Sequence, residues 1–302
     1  MIRITLKQLS YFVATAEHGS TLRASQVLSV SQPAISMAIK QLEETFGQTL
    51  FVRRHAQGVT LTPFGRRKLA DARHLLGYAS AISEAETGHL AGHLELGVFT
   101  TLAPAHVPGL LRAFYDAYPE VTVHLREASL DQLHRDLDAG MIELALMYDL
   151  DLAADIQRVV LSGETPYALL PAGHRLAKAR KVSIGDLAKE PFILIDLPGS
   201  REAFLSLFRT SGLTPASVVR CSSLEMVRGM VANGHGLAIL VTKPSGDVGY
   251  DGKRLVCRPI AEEFPPHRIV LASARTIRMT KLAEAFVEAG KDYFAHLKTR
   301  RN

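Results

Sequence analysis

The stretch Gly19–Phe51, GSTLRASQVLSVSQPAISMAIKQLEETFGQTLF, holds two short helical patterns separated by a tight polar turn, with basic residues close behind. The first pattern starts at Ser20, an N-cap residue type directly after the helix-ending Gly19, and sets Leu22, Ala24 or Ser25, and Leu28 toward one face. The turn around Ser29, Val30 and Ser31 has only Val30 to bury. Ser31 suits the cap of the next helix, and Pro33 falls in its first turn, where a missing amide donor is no loss. From Gln32 onward, Ile35, Ile39 and Leu42 recur at helical spacing and face a core, which leaves Gln32, Ser36, Met37 and Lys40 pointing outward. Two helices joined by so short a turn, the second with a polar outer face sized for a major groove, predict a DNA-binding helix-turn-helix.

The chemistry of that outer face fits the reading. Gln32 can pair bidentately with adenine, Ser36 can donate or accept at a base or phosphate, and Lys40 can neutralise a phosphate. Taken singly, each also reads as a solvated side chain on an exposed helix. Charge separates the two readings: residues 1–68 carry nine Lys or Arg against three Glu, a balance of +6, while the whole chain stands at +5. A basic excess confined to one end is the footprint of a nucleic-acid module attached to a body with another task. A membrane-surface patch would be basic too, but no amphipathic basic helix with aromatic anchors is present. Residues Leu50 to Leu61 have β-favouring residues on both sides of His55–Gly58 and predict a small hairpin with Arg53 and Arg54 on its first arm. Such a wing sets both guanidinium groups against the phosphate backbone or a minor groove; the alternative is a solvated charged hairpin.

The ordered series Ser31-Gln32-Pro33-Ala34, Ser36, Leu42-Glu43, Gly47, Leu50-Phe51, Arg53, Leu61-Thr62 and Gly65 resembles the N-terminal domain of LysR-type transcriptional regulators. Chain length and the later α/β pattern match that family as well, so the resemblance covers nearly the whole sequence. It implies a winged helix-turn-helix over residues 1–62, an effector-binding domain, and dimers that pair into tetramers on promoter DNA, with RNA polymerase as a further partner. Met37 stands where the family usually has Arg or Lys, and Ser25 replaces a common Ala.

A chain of 302 residues, 47% of them hydrophobic, can build two or three units with real cores, and no apolar run is long enough to span a membrane. No secretory leader is read before the first helix, so a cytoplasmic protein is expected. Cys221 and Cys257 are far apart and lack metal-type spacing, which fits a reducing compartment. They read as buried thiols, with a redox pair as the alternative; peroxide-sensing members of the family keep their two cysteines closer together. No cofactor or metal is expected.

Thr62 and Pro63 signal a helix start, and few breakers follow before about Thr87, so residues 63–87 predict one long linker helix. Leu69, Ala72, Leu76 and Ala79 alternate three and four apart, a coiled-coil seam flanked by Leu75 and Ile82. The expected role is dimerisation, placing two reading helices on a pseudo-palindromic site; the alternative is packing on its own chain. Residues 88–93 form a hinge whose His89 and His93 lack partners at metal-ligand spacing.

Residues 94–302 alternate strand and helix, an α/β pattern with a mainly parallel sheet, in two similar lobes. Strands are expected at 94–99, 121–127 and 142–148, then near 167–170, 192–195, 218–220, 237–241 and 268–272, with a closing helix from Ile277 to about Leu297. Resemblance to the family and to periplasmic binding proteins assigns lobe I to about 94–163 and 267–302, and lobe II to about 164–266. Two crossings join them, near Gly163–Pro166 and Phe264–Arg268.

Ligands in such sheets sit at the carboxyl ends of strands, where helix N-termini offer free amides. That rule selects Thr100, Thr101, Ser129 and Tyr148 in lobe I, and Ser200, Arg201, Ser222 and Ser223 in lobe II. Serines there are also ordinary N-caps, and the assignment rests on their convergence. Hydroxyls with Arg201 beside them favour a small anion, and Tyr148 either stacks on it or lines the lobe interface. The expected protein is therefore a transcription factor whose promoter binding responds to a small molecule held between lobes. An enzyme on the α/β body is the rival, but no G-x-S-x-G elbow, Walker loop, dinucleotide fingerprint or metal cluster is present. A solute-binding transport protein would share the lobes but not the basic N-terminal module.

Overall fold

Thr5 starts the first helix, α1 (Leu6–His18), with a capping box in which its hydroxyl accepts from the Gln8 amide and the Gln8 side chain accepts from the Thr5 amide. The computed structural model describes residues 4–54, 58–83, 90–150, 152, 154–199, 201–275 and 279–301. Gly19 ends α1 in the left-handed region, and Ser20 then caps α2 (Thr21–Val27). Helix α3 (Gln32–Phe46) follows and stops at Gly47, again left-handed. Strands β1 (Phe51–Arg54) and β2 (Gly58–Leu61) pair antiparallel as the wing. The wing is tied to the end of α1 by Val59 N–H to the Gly19 carbonyl at 2.8 Å. A Cβ on Gly58 would sit 2.3 Å from that same carbonyl oxygen, so the close approach requires glycine.

The long helix α4 (Pro63–Ser83) begins where expected, but its apolar stripe is already occupied. Leu69 and Ala72 are buried with Leu9, Phe12, Leu42 and Leu50 in the core of the N-terminal head, and Leu76 packs at its edge. Three-four spacing reports an apolar face, and within one chain α1 packs against α4 and Leu69 and Ala72 of the expected seam are buried in the head. Ala79 is half-buried further along, while Leu75 on another face is 52% exposed. Leu22, expected to face the core of the head, is instead 58% exposed; Ala24 and Ser25 fill that side of α2.

Lobe I is built from β3 (Gly92–Phe99), α5 (Ala103–Ala117), β4 (Val121–Ala128), α6 (Leu130–Asp138), β5 (Leu144–Tyr148) and β6 (Ile156–Glu164). Lobe II contains β7 (Tyr167–Pro171), a 3-10 turn at Arg175–Lys178, α7 (Ile184–Ala188), β8 (Pro191–Ile195), α8 (Arg201–Thr210), β9 (Ser217–Cys221), α9 (Leu224–Ala232), β10 (Ala238–Leu240) and β11 (Leu255–Pro259). The chain then returns to lobe I as β12 (His267–Ala274) and α10 (Lys281–Arg301).

The lobe I sheet has the order β4-β3-β5-β12-β6, with β3 parallel to β4 and β5 but β12 antiparallel to β5 and β6. The sheet is mixed because β6 and β12 are the two strands that leave for, and come back from, the other lobe. In lobe II, β7 is flanked antiparallel by β10 and β11, β8 pairs parallel with β9, and a parallel bridge from Phe192 to Leu237 joins the halves. Strands β6 and β11, which the sequence reading did not include, carry only three consecutive apolar residues each, Val159–Leu161 and Leu255–Cys257, and both burial patterns are half open. One continuous apolar core runs through both lobes, from Phe114 and Phe286 to Phe192 and Phe208.

Candidate nucleic-acid interface and effector cleft

On α3, Ile35, Ala38, Ile39 and Leu42 are buried, and Ser31, Gln32, Pro33, Met37 and Lys40 are exposed, with Ser36 half-buried between them. Helical spacing therefore sorts the two faces as the sequence implied. Gln32 Nε2 donates to Thr21 Oγ1 at 3.2 Å and to Ser36 Oγ at 3.3 Å, so α2 and α3 present one polar strip. Thr21 escaped the sequence reading because it belongs to the first turn of the preceding helix. Ser31 occupies the N-cap position of α3 but its hydroxyl makes no capping bond, which leaves that hydroxyl open to a group such as phosphate, while the Ala34 amide is already bonded to the Ser31 carbonyl at 3.0 Å. Lys40 lies 3.8 Å from Glu44 with both side chains well exposed, a pairing too weak to withhold the ammonium from DNA. Arg53 and Arg54 lie on β1, the first arm of the wing. Ser25 is buried where an alanine would fit, and its hydroxyl is satisfied by the Leu22 carbonyl at 2.7 Å.

Between the lobes, the ends of β3, β5 and β10 bring three hydroxyls together. Tyr148 Oη and Thr242 Oγ1 are 2.8 Å apart, Thr242 Oγ1 donates to Thr101 Oγ1 at 3.3 Å, and Tyr167 Oη donates to the Thr242 carbonyl at 3.1 Å. Burial, reinforced by the Glu164 carboxylate, pushes the Tyr148 phenol above its ordinary range. Burial does the same for Tyr167, reinforced by Cys257. Both phenols therefore stay neutral donors. Phe99, Leu197 and Phe204 complete this inner pocket, which at about 20 Å³ is closed down to the size of one water.

Outside it opens a second cavity of about 500 Å³ lined by Thr100, Thr101, Ser222 and Ser223, with Leu125, Glu127 and Tyr250 at its rim. The structure thus brings together Thr100, Thr101, Tyr148, Ser222 and Ser223. Ser223 also caps α9 by accepting from the Met226 amide, and Thr100 Oγ1 donates to the Ala128 carbonyl at 3.2 Å. Ser129 is the N-cap of α6 without a side-chain cap bond but borders neither cavity. Ser200 lies outside the described residues. Arg201 does not join the group: its Nε donates to Asp196, which balances its charge away from both cavities. Thr242 was missed, although it directly follows an apolar strand, the same signal that selected Thr100. Gly199, at φ +81°, brings the β8–α8 loop so near α6 that a Cβ would lie 2.8 Å from Leu130 Cβ and Asp131 Oδ1, so the lobes touch there.

Cys221 closes β9 and Cys257 lies on β11, the outer strands of the lobe II sheet. Three strands stand between them, about 19 Å at ~4.8 Å per strand, far beyond disulfide reach. Burial raises both thiols above their usual range, so neither is held as a thiolate.

Residues 6–66 match the family described as bacterial regulatory helix-turn-helix protein, lysR family, and residues 87–295 match the LysR substrate binding domain. The chain belongs to the LysR family of transcriptional regulators. It is 32% identical to the HTH-type transcriptional regulator YnfL of Escherichia coli over 92% of this chain and 98% of that one. Among solved structures it is similar to HinK, a LysR family transcriptional regulator from Pseudomonas aeruginosa, at 40% identity and TM-score 0.65, covering 96% of this chain and 98% of that one. Full-length OxyR from Pseudomonas aeruginosa, a cysteine-to-aspartate variant, superposes at TM-score 0.78 with 25% identity, covering 96% of this chain and 98% of that one. As a LysR-type regulator the protein is a DNA-binding transcription factor with an effector-binding domain, and the family is one of regulators, not enzymes. Among the described residues no helix is long and apolar enough to cross a membrane.

Proposed function

We propose that this LysR-type regulator changes its grip on promoter DNA when a small, anionic metabolite binds between its lobes. The observation that carries the reading is the cavity of about 500 Å³ between the lobes, which Thr100 and Thr101 line from lobe I and Ser222 and Ser223 line from lobe II. Arg201 has no part in this version of the site. Hydroxyls of Thr100 and Thr101 hold the ligand, Ser222 and Ser223 approach from lobe II, and Tyr148 with Thr242 closes the floor.

In the head, Gln32 and Ser36 face base edges while Ser31, the helix start at Pro33, Lys40, Arg53 and Arg54 hold phosphates. Two copies pair so that two heads reach two half-sites, and four complete the assembly in the cytoplasm, with RNA polymerase as the reader of the outcome. Because the Leu69–Ala72 face is spent inside the chain, the surfaces left for pairing are the Leu75 side of α4 and the edge strands β4 and β9, where Leu125, Val218 and Val219 stay exposed. The test is a crystal structure of the chain purified from its native host. Density for a small acid against Thr100, Thr101 and Ser223 between the lobes supports the reading, and a molecule bound elsewhere with this cavity empty overturns it.

A further inference from the structure

Where the head meets lobe I, a single guanidinium touches both. Arg73 on α4 donates from Nη2 to Glu17 Oε1 of α1 at 3.0 Å, and the same nitrogen lies 3.6 Å from Glu95 Oε1 of β3. Glu95 Oε1 is in turn 3.0 Å from His124 Nδ1 on β4. With a side chain only 20% exposed, Arg73 is better shielded than an ordinary surface pair and more sensitive to losing a partner. The rest of this junction is loosely filled. Met141 of lobe I packs on the core of the head, Gly77 of α4 faces Thr280, and between them lies a cavity of about 330 Å³ lined by Arg73, Leu76, Glu95 and Glu143. A junction with one doubly engaged charge and unfilled space beside it has room for more than one arrangement.

The same strands that begin at this junction end at the cleft. Five residue steps separate Glu95 from Thr100 along β3, and five separate Glu143 from Tyr148 along β5, about 17 Å at ~3.3 Å per residue. Glu143 is fixed at its end by accepting from the Thr280 amide at 2.9 Å, and its own amide donates to the Glu95 carbonyl at 2.9 Å. Two hydrogen-bonded strands in register thus link the cleft floor to the carboxylates that face the head.

We propose that Arg73 is the positioning residue that couples the effector lobes to the DNA-reading head, its shared contact with Glu17 and Glu95 setting the angle of the head. The role in signalling rests on the cleft reading above, but the contact and its effect on head angle do not. With Glu95 withdrawn, Arg73 keeps Glu17 and stays with the head, so the head turns without unfolding.

The experiment measures the head-to-lobe distance by pulsed electron paramagnetic resonance in the full chain without ligand. Cys221→Ala and Cys257→Ala remove the native thiols, and spin labels go on cysteines replacing the exposed Val27 of α2 and Val160 of β6. Labelled chains are diluted with unlabelled ones so that only distances within one chain are read. Arg73→Ala and Glu95→Gln should each raise the ratio of displaced to native distances about fivefold, while Arg73→Lys restores most of the native distribution. Binding to random-sequence duplex should stay within about twofold for Glu95→Gln, since that change lies outside the head. Distributions unchanged by Glu95→Gln in a folded chain overturn the proposal, even if Arg73→Ala damages the head. Because no ligand is used, that failure leaves the effector site untouched.

Discussion

The reading helix and the interlobe cleft use the same chemistry, hydroxyls and amide groups, under opposite conditions. On α3 the reading groups face solvent, and Met37 beside them is 62% exposed. In the cleft, Tyr148 and Thr242 are each 4% exposed and already satisfied by one another. The helix face can meet DNA by exchanging water for phosphate and base edges. A ligand that enters the inner pocket must break the Tyr148–Thr242 hydrogen bond first, whereas the outer cavity beside Thr100 and Ser223 is open without it. The head presents an open polar face, and the floor of the cleft is a closed contact between the lobes.

The largest expected separation of the two regions comes from Phe12→Ala. Phe12 is fully buried and meets Phe51 edge-on at 5.5 Å, joining α1 to the wing. Its loss should cost the head about 3–5 kcal/mol and abolish binding to all DNA. Calorimetry should show the two-lobed body still melting at its original temperature; one merged transition would mean the regions are not separately stable.

Thr242→Val comes next. It keeps the shape but leaves the Tyr148 hydroxyl buried without its closest partner, at about 1–3 kcal/mol, read by denaturant unfolding of the body. DNA affinity for random duplex should not change. In the head, Gln32→Ala should relax sequence preference by about 1–3 kcal/mol, whereas Arg53→Ala should weaken every sequence alike and lower the salt slope by about 1. Binding titrations at several salt concentrations distinguish these outcomes, and equal loss on all sequences for Gln32→Ala would make it a backbone contact.

The smallest effect concerns pH. His267 starts β12 at the second crossing, against Tyr148 and Phe204, and burial holds its pKa below the ordinary histidine range. The folded chain then binds this proton less readily than the unfolded one, so the contribution is intact above about pH 6.5 and is lost as pH falls through that range toward the folded value. His267→Gln should flatten the acid side of the stability profile of the body.

How much could be read from the sequence differs between the regions for a physical reason. In the head, periodicity and caps are local, so Ile35, Ile39 and Leu42 point inward as their spacing requires. The same locality limits the reading at α4, where the spacing of Leu69 and Ala72 showed an apolar face but not which surface buries it within the chain. In the body, the rule that ligands gather at strand ends picked out Thr100, Thr101 and Tyr148, which the fold sets beside the two cavities between the lobes. It could not find the Asp196 that engages Arg201, because that pairing depends on how the β8–α8 loop folds back. Strand β6 escaped for a related reason: it is an edge strand, half open to solvent, whose apolar run is only Val159–Leu161 among polar residues.

Hydroxyl-radical footprinting of a promoter fragment with the natural chain and with Thr101→Phe tests the link between cleft and DNA most directly. Thr101 is 8% exposed and borders both cavities, so a phenyl ring there should wedge the lobes apart without touching the head. We expect each half-site to stay protected while the spacing between protected segments, or the reactivity of the DNA between them, changes. Identical footprints from the two folded chains would contradict a cleft that sets the geometry of the bound heads.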